Sequence, residues 1–459
     1  MLRKMITLFY VLYYFALELH PSTATPPCVG LLRYSQEALG IVFETQKSLL
    51  QDALSNSETS ASVSGIKVDA EKIQIHSPVI TDISVHLVPG QGIQISIVTD
   101  FLLSLTRGNK VSELEVLADV TSMLQIAQDS SGNPKLGIDS CDTSIKQSEV
   151  LQKAENLELL KEAVTIALNQ KLCLVSSSIM LGINVQLGQF TGLMNLGTHV
   201  QLSYFLTNPP AVTSQYIEFG VNVEYYLLGR RLDISAHSEC VPLSAQSSNA
   251  TPMYSLLLPQ DTFHAVFSAM EWAGFFNLDI TGETDEGTNM LTVETIKSVS
   301  PEIAFMYPET CPVTMKVGVS TAPRIILHKG MMVMYLQPSL ELMVMPPDER
   351  PAESLMMLST DVQMKVHIKI DDHVLKTESV SLMRNVTLSL ESTALGSVNL
   401  DTLQKVILPF LERSLLFHYK GALRVGWTLP RISPLKLVDP KIDVYEGYAA
   451  IYGNLQSRE

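Results

Sequence analysis

Apolar and polar side chains alternate with a period of two through much of residues 66–120. Ile66, Val68 and Ala70 alternate with Lys67 and Asp69, and Thr81, Ile83, Val85 and Leu87 with Asp82, Ser84 and His86. Ile93, Ile95 and Ile97 follow, then Leu114, Val116, Ala118 and Val120. Successive side chains of a strand point to opposite faces, so each run buries one face and wets the other. Pro89-Gly90 and the cluster Asp129–Pro134 read as turns. The pattern predicts a meander of long antiparallel strands whose apolar face something must cover.

The covering elements carry three-to-four spacing. A helix is predicted over Gly30–Leu54, with Leu39, Val42, Phe43, Leu49, Leu50 and Ala53 in one stripe. A second is predicted over Ser148–Leu172, with Leu157, Leu160, Val164 and Leu168 on one face, and Val200–Leu206 and Ile217–Tyr225 read as strands after it. Glu239–Met253, with Pro242, Ser244, Ser247, Ser248, Asn249 and Pro252, reads as a linker. The order then begins again with a helix from about Gln260 carrying Phe263, Val266, Phe267 and Met270. Strands are predicted at Val313–Val319, Val333–Leu336, Leu340–Val344, Val362–Ile370 and Val386–Leu390. A late helix over Asn399–Phe417 turns Leu403, Val406, Ile407, Phe410 and Leu411 inward, with a kink expected at Pro409, before a closing strand Ile442–Tyr452. The expected class is α+β in two similar halves: 25–238, a linker at 239–254, and 255–459.

The first residues read as a secretory signal. Arg3 and Lys4 precede the uncharged run Met5–Leu17, which is too short to cross a ~30 Å hydrocarbon core, and Ser22-Thr23-Ala24 offers a cleavage site. Export makes disulfides possible for Cys28, Cys141, Cys173, Cys240 and Cys311. None of these has C-x-x-C spacing, which argues against a zinc knuckle or a thioredoxin-type site. Cys141 and Cys173 make the best pair: Cys141 ends a strand-like segment and Cys173 lies near the end of a helix-like one. Closing this ~32-residue loop is worth roughly 3–4 kcal/mol in the chain-entropy model. Asn249 and Asn385 sit in N-x-S/T sequons, as expected of a secreted glycoprotein. With 32 Lys plus Arg against 47 Asp plus Glu the chain is acidic, which argues against nucleic acid as a partner.

The sequence holds no G-x-S-x-G, H-E-x-x-H, G-x-x-x-x-G-K-[ST] or G-x-G-x-x-G, so no catalytic residue, metal ligand or cofactor is expected. His86 reads as a solvent-face residue, Asp371-Asp372-His373 as a hairpin turn rather than a metal corner, and Arg230-Arg231 as a hairpin end. Methionine is unevenly placed: 14 of 19 follow residue 240, among them Met331, Met332, Met334, Met343, Met345, Met356 and Met357. Thioethers suit a pliable acyl pocket and also serve as ordinary core filler. The helix stripes are equally two-sided, since Phe43 and Leu49, or Phe263 and Phe267, line a lipid slot or seal a barrel.

Several stretches decide the matter by resemblance. Gly30–Val42 (GLLRYSQEALGIV), Ile138–Ile145 (IDSCDTSI), Asn169–Leu174 (NQKLCL), Leu181–Leu193, Val212–Gly229, Ala273–Gly282, Pro301–Glu309 and Val444–Ile451 come in an order similar to that of the family of bactericidal/permeability-increasing protein, lipopolysaccharide-binding protein and the PLUNC proteins. The chain looks most like the long PLUNC branch. The resemblance implies two twisted antiparallel barrels, each with a long packed helix, joined by a central sheet in an elongated boomerang. It implies that Cys141 and Cys173 are the half-cystines of the common disulfide. It also implies a secreted, non-enzymatic protein of host defence or lipid handling, with peripheral contact with membranes or bacterial surfaces, that binds phospholipid or other acyl lipids in one apolar pocket per half. The lining candidates are Leu39, Val42, Phe43, Leu49, Leu160 and Val164 in the first half, and Phe263, Val266, Phe267, Met270, Val406 and Phe410 in the second. The alternative is a secreted interaction or matrix protein that keeps the fold with filled pockets. One departure stands out: residues 25–240 carry 13 basic against 22 acidic side chains, a net of −9, where endotoxin-binding members are basic.

Overall fold

The computed structural model describes residues 30–55, 58–59, 72–107, 110–150, 157–234, 252–280, 291–347, 350–383, 386–432 and 435–457. The signal segment, Cys28, Ile66–Ala70, Cys240, Asn249 and Asn385 lie outside the described residues, as does the linker apart from its last few positions. In chain order come β1 (Gly30–Ser35), α1 (Gln36–Glu44), α2 (Lys47–Ser55), β2 (Glu58–Thr59), β3 (Lys72–Val88), β4 (Gly92–Arg107), β5 (Lys110–Gln128), β6 (Pro134–Val150) and α3 (Leu157–Gly188). β7 (Met194–Leu196), β8 (Val200–Leu206), β9 (Ala211–Val212), β10 (Tyr216–Leu227) and β11 (Arg230–Arg231) complete the first half. The second half opens with β12 (Tyr254–Pro259), α4 (Gln260–Trp272), β13 (Leu278–Ile280), α5 (Val293–Ile296) and α6 (Ile303–Met306). It continues with β14 (Val313–Gly318), β15 (Arg324–His328), β16 (Met331–Leu336), β17 (Ser339–Val344), β18 (Glu353–Asp371), β19 (Val374–Leu382) and β20 (Thr387–Thr393). It closes with α7 (Leu400–Ala422), β21 (Trp427–Thr428), β22 (Leu435–Tyr445) and β23 (Tyr448–Ser457).

Among the described residues the strands form three sheets: a five-stranded meander β2 to β6, a nine-stranded sheet built from β13 to β21, and a nine-stranded central sheet ordered β22-β23-β12-β1-β10-β8-β7 with β9 and β11 on β10. The fold is α+β, with a curled half-barrel sheet in each half and the central sheet between them. The meander pairs as the alternation predicts: Ile93, Ile95 and Ile97 lie opposite Leu124, Ser122 and Val120. β1 is the joint of the molecule. Leu32, fully buried, stands opposite Phe219 of β10 on one side and Leu256 of β12 on the other.

Three expectations need correction. Gly30–Ser35 is strand rather than helix, because its buried positions alternate and Gly30 lies between two strands, where a Cβ would approach Val221 to 3.1 Å. The helix then starts at Gln36, where the Ser35 Oγ accepts the Ala38 N–H at 3.3 Å, and it breaks at Thr45-Gln46. The second helix is shifted: residues 148–150 still belong to β6, Cys141 lies in mid-strand, and α3 runs Leu157–Gly188, sixteen residues beyond Leu172. Ile442–Tyr452 is a hairpin rather than one strand: Tyr445 pairs with Tyr448 across Glu446-Gly447, and Gly447 takes φ 81°.

Other readings stand as expected. His86 is exposed. Asp371 pairs with Val374 across Asp372-His373, and Leu227 with Arg230 across Leu228-Gly229, so both are hairpin turns. Met332, Met334 and Met356 are buried in the core of the second half, Met331, Met343 and Met357 are half-buried, and Met345 is exposed.

Two tyrosines tie the halves together, and a third anchors the same segment within the second half. The segment Thr428–Ile432, which starts at the end of β21, runs across the central sheet, and alternate residues on it meet tyrosines from three different strands. Tyr204 of β8 donates to the Thr428 carbonyl at 2.9 Å, Tyr254 of β12 donates to the Pro430 carbonyl at 3.2 Å, and Tyr34 of β1 accepts from the Ile432 N–H at 3.1 Å.

Candidate functional site

Each curled sheet is closed by helices, and a small apolar cavity sits in each closure. In the first half α1, α2 and α3 cover the concave face of β3, β4 and β5. The break between α1 and α2 shapes one wall. Thr45 donates from Oγ1 to the Val42 carbonyl at 2.6 Å, and the buried Gln46 accepts the Leu50 N–H at its carbonyl at 3.0 Å, which starts the second helix. Phe43, Gln46 and Leu50 therefore face Ile83, Ile95, Ile97, Ser122 and Leu124 on the sheet, with Ser176 and Met180 of α3 closing the side. The cavity has a volume of about 30 Å³.

Two devices hold α3 in place beside this cavity. Cys173 is joined to Cys141 of β6 by a disulfide. Eleven residues on, the Asn184 carboxamide both accepts the Leu136 N–H at 2.7 Å and donates to the Leu136 carbonyl at 2.9 Å, standing in for a neighbouring strand. The outer surface beside the cavity is apolar. Leu49, next to the lining Leu50, is 57% exposed, and Leu181, next to the lining Met180, is 69% exposed. Leu174 and Val185 continue that face of α3 at 68% and 69% exposure.

In the second half a cavity of about 20 Å³ lies between α4 and the sheet. Phe263, Phe267 and Met270 of α4 face Met332, Ile368 and Leu375, and Leu423, Gly426 and Trp427 close the end. Phe263 meets Trp427 edge-on at 5.5 Å between ring centroids. Gly426 takes φ 65°, and a Cβ there would stand 2.6 Å from the Leu375 carbonyl, so the closing turn has room only for glycine.

The structure distributes the candidate residues unevenly. Phe43 lines the first cavity, and Phe263, Phe267 and Met270 line the second. Leu39, Val42 and Val266 are buried in the core and are not among the lining residues of either cavity. Leu49 is on the surface, and Val406 and Phe410 are half-buried against the core from α7. The Leu160 and Val164 side chains lie outside the described residues. Sequence reasoning missed Leu50, Ile83, Ile95, Ile97 and Leu124 as lining residues, although the alternation had placed the isoleucines on the covered face. It also missed Ser122 and Gln46, which no motif marks.

The profile described as LBP / BPI / CETP family, C-terminal domain, matches residues 195–457, more than half of the chain. The chain belongs to the LBP/BPI/CETP family. BPI fold-containing family B member 2 of Mus musculus is 27% identical over 434 residues, covering 93% of this chain and 94% of the relative. The Homo sapiens protein of the same name is also 27% identical, over 94% of this chain and 95% of its own. A crystal structure of lipopolysaccharide binding protein superposes with a TM-score of 0.53 at 16% identity, over 94% of this chain and 99% of that one, which establishes the shared fold. The LBP/BPI/CETP family is a secreted one whose members are generally non-enzymatic lipid-binding proteins, and the Cys141–Cys173 disulfide is consistent with an extracellular chain. Its two helix–sheet closures are the places where its own residues offer an apolar interior.

Proposed function

We propose that this protein is a secreted carrier that holds the acyl chains of phospholipid or another amphiphilic lipid between its curled sheets and their helices. The observation that carries this reading is the cavity behind α2 and α3. It is walled by Phe43, Leu50, Ile95, Ile97, Leu124 and Met180, and apolar side chains stand exposed on the helices that cover it. At about 30 Å³ the cavity holds roughly two water molecules. A chain therefore enters by parting the helices from the sheet, with the exposed Leu49, Leu174 and Leu181 as its first contacts. Each methylene buried contributes ~0.8 kcal/mol, so ten contribute about 8 kcal/mol toward separating the helices from the sheet. Family membership and the shared fold support the same reading. We place the protein in a mucosal or other body fluid, with lobes at 25–238 and 255–459, glycans on Asn249 and Asn385, and transient contact with membranes or bacterial surfaces. The net charge of −9 over residues 25–240 disfavours capture of anionic lipid A by charge alone.

A second reading is favoured by one observation. Both cavities are small, and Met332, Met334, Met356 and Met364 fill the interior of the second half. An interaction or matrix protein with filled pockets would look the same at rest. Native mass spectrometry of the secreted protein, with uptake of a fluorescent acyl probe, separates the two. A carrier shows co-purified phospholipid, and the Ile97→Trp variant loses probe uptake by about tenfold while keeping its far-UV circular dichroism. Absence of both lipid and probe uptake in the unmodified protein overturns the carrier reading.

A further inference from the structure

The concave face of the first-half sheet is apolar except for three hydroxyls on adjacent strands. Thr99 of β4, Ser122 of β5 and Thr143 of β6 are 1%, 5% and 5% exposed, and among the described residues the hydroxyl oxygen of each has no hydrogen-bond partner. The ladder places them together. Thr99 stands opposite Ala118, Thr143 opposite Val120, and Ser122 opposite Ile95 and Cys141, so all three gather along the five-residue stretch Ala118–Ser122 of β5. Ser122 lines the cavity itself. Ser300 in the second half is a lone buried hydroxyl of the same kind, but two others show the usual solution. Ser176, on the same cavity wall, donates to its own helix at the Leu172 carbonyl at 2.9 Å, and Thr360 in the second half donates to the Thr387 carbonyl at 2.7 Å. A buried hydroxyl left without a partner is disfavoured, and several on one face favour an occupant that brings a polar atom to them.

A plain hydrocarbon chain brings none. We infer that the first-half seam prefers an acyl chain that carries an oxygen function, a hydroxyl or a keto group, along its length. This rests on the acyl-carrier reading and adds to it the class of chain. The oxygen accepts from, or donates to, the Ser122 hydroxyl at the cavity and reaches Thr99 or Thr143 as the chain passes deeper. Phe43, Leu50 and Met180 hold the hydrocarbon on either side of that point. A site that hydrogen-bonds a substrate hydroxyl discriminates against the analogue lacking it, because its own polar group is then left unpaired.

The test uses the full-length secreted protein after delipidation and three probes: octadecanoic acid, 3-hydroxyoctadecanoic acid and 12-hydroxyoctadecanoic acid. Each competes with a fluorescent fatty acid. Binding of at least one hydroxy acid roughly tenfold tighter than octadecanoic acid is the expected result. Ser122→Ala should cut that advantage to about twofold or less. Thr99→Val and Thr143→Val, which keep side-chain volume, make the same comparison deeper in the sheet. Equal affinity for all three acids, as expected if a buried water already satisfies Ser122, overturns this inference and leaves acyl binding standing. Failure of every acid to displace the probe overturns both.

Discussion

At the scale of single residues, the three tyrosines that hook the 428–432 segment connect sequence to stability. Tyr34 is 1% exposed, meets Phe219 and Tyr254 edge-on, and is the acceptor for the buried Ile432 N–H. Tyr34→Phe keeps the ring and strands that N–H, so a loss of about 1–3 kcal/mol is expected in urea denaturation. A change below about 0.5 kcal/mol, the range of ordinary surface substitutions, would mean the hook is dispensable. Burial pushes the hydroxyls of Tyr34, Tyr204, Tyr225, Tyr254 and Tyr419 well above the ordinary tyrosine range. In the unfolded chain they ionise near pH 10. Above that pH the unfolded state has lost protons that the native state retains, so stability is intact below about pH 10 and falls as pH rises further. Each such tyrosine contributes a slope of up to about 1.4 kcal/mol per pH unit. Denaturation midpoints at pH 9 and 11 check this, and equal midpoints would contradict it. None of these hooks was legible in the sequence. The partners are backbone atoms far along the chain, and a carbonyl at position 428 or 430 looks like any other.

At the scale of elements, the strands were readable because the wet and dry faces of a sheet force alternation on the side chains. The errors fell where periods overlap. Leu31 and Leu32 are both apolar, so a six-residue strand running into a nine-residue helix reads as one helix. In α3 the buried positions Leu172, Met180, Ile183 and Leu187 share the helix with exposed Leu174, Leu181 and Val185, so no single stripe marks where it ends. The cavity was half legible for a related reason: a sheet's covered face can be read, but which of its residues border a gap depends on how the helices seat. The β10–β11 hairpin offers a clean test. Leu228 holds φ 49° and Gly229 φ 80°, and Leu228 is 78% exposed. A turn with both central residues in the left-handed region favours Asn-Gly, and leucine is disfavoured there. Leu228→Asn is therefore expected to stabilise by roughly 0.5–1 kcal/mol, readable as a raised thermal midpoint. At the other end of the same half, Cys141→Ser with Cys173→Ser releases the tie between β6 and α3. About 2–4 kcal/mol should be lost in denaturation. Hydrogen exchange should rise first in α3, and exchange that rises evenly over the whole chain would argue against a local role for the bridge.

At the scale of the whole molecule, the chain's first described strand decides how the halves depend on one another. β1 pairs with β10 of its own half and with β12 of the other, and β12 continues into the β22–β23 hairpin at the chain's end. The core is continuous across this joint: Leu32, Tyr204, Phe219, Leu256 and Ile451 belong to one buried cluster with residues of both curled sheets. The end of the first sheet away from the central sheet, including Phe101, Leu103 and Val116, forms a separate cluster with Leu50, Leu54 and Leu172. Two independently stable lobes on a flexible linker would show two transitions, and damage to one would leave the other in place. A shared sheet predicts instead that the second half, the central sheet and the part of the first half packed on it unfold together. Leu32→Ala removes a fully buried side chain between Phe219 and Leu256 and should cost about 2–5 kcal/mol. The loss should lower one joint calorimetric transition that includes the second half and the central sheet. A second, smaller transition, belonging to the far end of the first sheet with α2 and the Leu172 turn of α3, should stay near its original temperature. That end would then be able to loosen from α2 without unfolding the rest, which opens the cavity from its Leu50 side. If Leu32→Ala shifts only a first-half transition and leaves the second half untouched, the halves are separate domains that happen to touch, and the coupling argued from β1 fails.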